Sequence, residues 1–76
     1  MNNARRMQLL DCNMDLLNLI KELDSITSKV SDIQEAEETE CSEEMEEAVN
    51  NLSDASDYMT EAVKLLISVV KEGLKE

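Results

Sequence analysis

Two cysteines and a dense set of carboxylates are the residues of this chain with chemistry to offer. There is no histidine. That excludes Glu-x-x-His di-iron ligation, histidine-based triads and ordinary zinc sites. Cys12 and Cys41 are too few for a metal site. On a helical hairpin they would lie near opposite ends, about 30 Å or more apart at 1.5 Å per residue, too far for a disulfide. Cys12 falls in an apolar stripe and reads as a small buried hydrophobe. Cys41 sits among glutamates, whose charge disfavours a reactive thiolate. No Gly-rich phosphate loop is present. The expectation is a protein that is not an enzyme and has no cofactor and no metal, because groups suited to titrate near neutrality are missing.

The carboxylates do form a pattern. Glu40, Glu47, Asp54 and Glu61 recur every seven residues, which makes a rail along one helix face, and Glu43, Glu44 and Glu46 fill part of the gap. Such a rail suggests an acidic mimic of nucleic acid that inhibits a DNA- or RNA-binding protein, by analogy with inhibitors encoded by phages or mobile elements. Its spacing of ~10 Å is coarser than the 3.4 Å or so between phosphates of one strand, which argues against close mimicry. The acidic stretch also lacks the Asp-x-Asp-x-Asp-Gly pattern of a calcium loop. The plain alternative is a solvated face. Tyr58, the single aromatic residue, reads as a rim residue with its hydroxyl in water.

The formal charge is −11. It disfavours direct binding to nucleic acid or to an anionic membrane surface, both of which need basic patches. It allows a basic protein surface as a partner. No apolar run reaches the 18 or so residues of a membrane span. Arg5 and Arg6 precede an apolar run, but Asp11 and Asp15 interrupt it too early for a signal peptide. Leu9-Leu10-Asp11-Cys12 has the wrong residue beside its cysteine for a lipoprotein site. A reducing, cytoplasmic setting is expected.

The elements that must carry these residues are helices. The chain has no Pro and one Gly, and it is rich in Leu, Glu, Met and Ala. Seventy-six residues make one domain. Leu9, Cys12, Leu16, Leu19, Leu23, Ile26, Val30 and Ile33 alternate three and four residues apart, the period of a coiled-coil seam. Met45, Ala48, Leu52, Ala55, Met59, Ala62, Leu66 and Val69 do the same. The two series are out of phase by one residue, so one continuous helix is disfavoured against a hairpin. The spacing predicts helix 1 over about 4–34, an acidic turn over about 35–43 and helix 2 over about 44–73. Asn3 is the expected cap of the first helix, Thr39 or Ser42 that of the second, and Gly73 the expected stop. Arg5 and Arg6 sit badly at a positive helix end, an anomaly that a partner or a nearby acid would relieve.

Folding the chain about residue 39 pairs every seam residue with a seam residue: Leu9 with Val69, Leu16 with Ala62, Leu23 with Ala55, Val30 with Ala48. Small-against-large layers allow close helix approach. Further apolar residues are then left over at the end holding the termini: Met7, Leu10, Met14, Leu17 and Ile20 on helix 1, and Val63, Ile67, Val70 and Leu74 on helix 2. A wide apolar surface on a small protein marks an interface. The charge divides along the same line. Residues 21–57 hold thirteen acids and two bases, whereas the remainder holds five of each.

The sequence therefore predicts an all-α, antiparallel two-helix coiled-coil hairpin, pairing through its terminal half into a four-helix bundle as a homodimer. A small single core is marginal without such support. The expected role is a protein–protein interaction module: an adaptor, an inhibitor or an assembly component. Its partner would be itself or another helical protein covering the same apolar end.

Overall fold

The computed structural model describes residues 2–36 and 42–74; the side chains of Ser42 and Leu74 lie outside it. Two helices, α1 (Asn3–Ala36) and α2 (Ser42–Leu74), pack against each other along their lengths. The fold is the expected all-α antiparallel hairpin, a rod with principal extents of 57 × 15 × 11 Å. No helix among the described residues is long and apolar enough to cross a membrane.

The helix ends follow local chemistry. Asn2, rather than Asn3, caps α1: its Oδ1 accepts the backbone N–H of Arg5 at 2.9 Å, and its carbonyl accepts that of Arg6 at 3.1 Å. Arg6 in turn donates from Nη2 to Asn3 Oδ1. Glu35 and Ala36 favour the helical state, so α1 runs past the expected end near residue 34. Thr39, Glu40 and Cys41 fall outside the described residues. α2 starts at Ser42, with Glu43 and Glu44 in its first turn and Lys71 in its last, each suited to the dipole there. Gly73 does not stop the helix. No described residue has a positive φ, and α2 continues through Gly73 to Leu74.

Burial corrects the expected seam. The inward positions of α1 are Arg6, Leu9, Asn13, Leu16, Ile20, Leu23, Thr27, Val30 and Gln34. Those of α2 are Met45, Val49, Leu52, Ser56, Met59, Val63, Leu66, Val70 and Gly73, with Ala55 and Ala62 beside them also half-buried. Both series still step by three and four. In each helix one expected row is kept (Leu9, Leu16, Leu23, Val30; Met45, Leu52, Met59, Leu66). The other expected row gives way to its neighbour one residue later, although Ala55 and Ala62 of that row stay half-buried. Val63 and Val70, expected on an outward stripe, are instead the buried apolar residues, only 5% and 6% exposed.

Antiparallel pairing of these rows gives a new layer order: Leu9 with Val70, Asn13 with Leu66, Leu16 with Val63, Ile20 with Met59, Leu23 with Ser56, Thr27 with Leu52, and Val30 with Val49. The cross-helix bond from Ser56 Oγ to Asp24 Oδ1, 2.8 Å long, lies beside the Leu23–Ser56 layer and agrees with that register. The physical reason is volume. Val49 and Val63 fill the space between two helices better than Ala48 and Ala62 beside them, and Val63 and Val70 each stabilise the hairpin by about 1.5–3 kcal/mol if fully buried.

Candidate interaction surface

The corrected register divides the hairpin into two unlike faces. In heptad terms the kept rows are d positions and the new rows are a positions. The displaced rows then become g positions: Cys12, Leu19, Ile26 and Ile33 on α1, and Ala48, Ala55, Ala62 and Val69 on α2. In an antiparallel pair the g rows of both helices lie on one side of the seam, and the e rows on the other. The original eight-residue apolar stripes are thus intact as d-plus-g stripes. At roughly 100° per residue, each is turned about 50–60° away from the opposite helix, both towards the same face.

That face is open. Leu19, Ile26 and Ile33 are 49%, 52% and 54% exposed. Beneath them, all eight d residues are only half-buried, whereas the fully buried seam residues (Asn13, Ser56, Val63 and Val70) are all a residues. The packing between the helices is closed on one side and incomplete on the other. Arg5, Gln8, Leu9 and Cys12 line a shallow depression at the terminal end of the open face. Cys12, expected to be buried, is exposed there. Tyr58 and Leu65 flank the face on α2, both exposed.

The opposite face carries the e rows. Met7, Leu10, Met14, Leu17 and Ile67 are exposed on this side, at the end bearing the termini. Ile20, Val63 and Val70 do not join them, because the seam takes them in. The side chain of Leu74 lies outside the described residues. Towards the turn this face becomes polar: Asp24, Ser31, Glu46, Ser53 and Thr60 follow in the same rows. Hydroxyls there are satisfied within the chain, as Ser56 bonds Asp24 and Thr60 Oγ1 donates to the Ser56 carbonyl at 2.9 Å.

Of the acidic residues, Glu43, Glu44, Glu47, Asp54 and Glu61 are exposed, and Glu40 lies outside the described residues. Glu47, Asp54 and Glu61 run along the back of α2, facing away from α1. Glu61 Oε2 stands 3.7 Å from Lys64 Nζ, with both side chains largely in solvent. An exposed pair of this kind contributes little to stability. Among the described residues no group of three or more His, Cys, Asp or Glu is placed to hold a metal ion.

Asn13 was missed from the sequence. It is 4% exposed, and neither its Nδ2 nor its Oδ1 has a hydrogen-bond partner. A buried amide in this state costs about 1–3 kcal/mol. A polar residue at an a position is a recognised device for fixing register and oligomeric state at the expense of stability. The signal that could have found it is the valine row Val49, Val63 and Val70, whose antiparallel partners place position 13 in the seam.

No family model, curated protein or solved structure matches this chain.

Proposed function

We propose that this chain is a non-enzymatic, acidic helical interaction module of the cytoplasm that self-associates, two hairpins forming a four-helix bundle. The observation that carries the reading is the open apolar face, where large side chains stand about half-exposed along both halves of the rod. Contiguous apolar surface of that extent on a small protein marks an interface. The orientation of the stripes supports the same reading. In a two-helix coiled coil each stripe points at the other helix. In a four-helix bundle each stripe points between its two neighbours, about 45° from either, which is nearer the turn of about 50–60° of these stripes. An adaptor, an inhibitor and an assembly component are all roles such a module can fill.

Sedimentation equilibrium of the full chain at micromolar concentration tests the reading. A dimer mass supports it. A folded, helical 8.6 kDa monomer overturns it. The acidic-mimic reading has weaker support, because Glu47, Asp54 and Glu61 stand two turns apart on the outer face of α2. Salt-sensitive binding to a nucleic-acid-binding enzyme would favour it.

A further inference from the structure

Two apolar surfaces are open on this hairpin, and they differ in what covering them would gain. The terminal patch around Leu10, Leu17 and Ile67 lies over the closed side of the seam, where Val63 and Val70 are already buried. The face of Leu19, Ile26 and Ile33 lies over half-buried d residues along the whole rod. Covering it removes two layers of apolar surface from water. The face runs along a rod 57 Å long and 15 Å across, long enough to offer a contact to a second rod over its whole length.

Charge then selects the direction. Residues 21–57 carry thirteen acids and two bases, and the rest of the chain five of each. Two hairpins laid with their turns together would place one −11 half on another. Laid with turns at opposite ends, each acidic half meets a neutral one. The second arrangement also brings Arg5, in the g row of the open face, beside the acidic half of the other copy. That would relieve a cation placed at a helix N-terminus.

We infer that the face carrying Leu19, Ile26 and Ile33 of α1 beside Ala55, Ala62 and Val69 of α2 docks a second copy of this chain, antiparallel, with the acidic turns at opposite ends of the bundle. This rests on the self-association reading and names its surface and orientation. A two-fold axis across the middle of the rod stacks α1 on α1 and α2 on α2. Leu19 then meets the other copy's Ile26, and the alanine row of α2 lies along the alanine row of its copy, so the small rows can approach closely while the branched rows fill the wider gap.

The test combines a distance with two disruptions. In a Cys12→Ala, Cys41→Ala background, a spin label is attached at Gln8→Cys, on the exposed rim of the face. Antiparallel docking places the two labels about 45 Å apart, since each position 8 lies roughly 14–15 residues from the axis at about 1.5 Å per residue. Turns-together docking places them within about 25 Å. Separately, Ile26→Glu should raise the dimer dissociation constant at least about tenfold, because a carboxylate replaces a buried apolar side chain. Leu10→Glu with Leu17→Glu should leave it within about twofold, because those side chains stay in water. A long label distance with loss of the dimer in the Ile26 variant supports the inference. A short distance overturns the orientation. A dimer broken by the Leu10 and Leu17 changes but not by Ile26→Glu overturns the surface and leaves self-association standing. A monomeric parent chain overturns both readings. The label distance is measured with the apolar face intact except for Cys12→Ala, so it decides the orientation even if Ile26→Glu impairs folding.

Discussion

Ser56 of α2 donates a 2.8 Å hydrogen bond to Asp24 of α1, joining residues 32 apart in the chain. Ser56 is buried in the seam and Asp24 stands exposed on the polar face, so the bond ties the closed side of the hairpin together. A buried hydroxyl would otherwise be left without a partner across the seam. The bond also distinguishes registers, because the expected order placed Ala55, not Ser56, opposite Leu23.

Removing that bond should cost stability modestly. Ser56→Ala and Asp24→Ala should each lower the unfolding free energy by about 1 kcal/mol, and the double variant by little more than either alone. Chemical denaturation of the three variants checks this. Additive effects would mean that the two side chains act independently.

Val63 and Val69 should behave differently. Val63→Ala removes two methyl groups from a closed seam and should destabilise the hairpin by about 1–2 kcal/mol. Val69 is 44% exposed. Val69→Ala should leave the hairpin nearly unchanged and weaken only association. Thermal melts taken alongside sedimentation separate the two effects, and equal melting shifts would contradict the burial order.

Half of this seam was legible in the sequence. Leu9, Leu16, Leu23 and Val30, with Met45, Leu52, Met59 and Leu66, occupy inward positions in either register. The rest was not legible, because a three-four spacing runs unbroken whether the row before or the row after these is chosen. Cys12, Leu19, Ile26 and Ile33 are more apolar than Asn13, Ile20, Thr27 and Gln34, and hydrophobicity alone prefers the former. Volume on the facing helix decides otherwise, since the row of Val49, Ser56, Val63 and Val70 holds three valines and the row of Ala48, Ala55, Ala62 and Val69 holds one. The apolar surface left open was foreseen at the terminal end. Its extension along the whole rod was not, because the residues forming it had been assigned to the seam.

Asn13→Leu should stabilise the chain. It replaces a buried amide lacking partners with an apolar side chain facing Leu66, a gain on the order of 1–3 kcal/mol. The size distribution should broaden, because the polar constraint on register is gone. A lower melting temperature would contradict a net cost of the buried amide.

Substitution at the acidic end should spare the assembly. Glu43 and Glu44 are exposed in the first turn of α2. Glu43→Lys with Glu44→Lys loses favourable dipole contacts of about 0.3–1 kcal/mol each, and it also lowers the repulsion between acidic groups. A dimer of two chains at −11 should tighten as salt rises, since screening weakens net repulsion while apolar burial persists. Sedimentation across a salt series checks both statements.

The central claim is that the apolar stripes of α1 and α2 point past each other towards a second hairpin. The mass of the full chain in solution at micromolar concentration tests it most directly. The account predicts a helical species of twice the 8.6 kDa chain mass. A cooperatively folded monomer that leaves Leu19, Ile26 and Ile33 in water would contradict it.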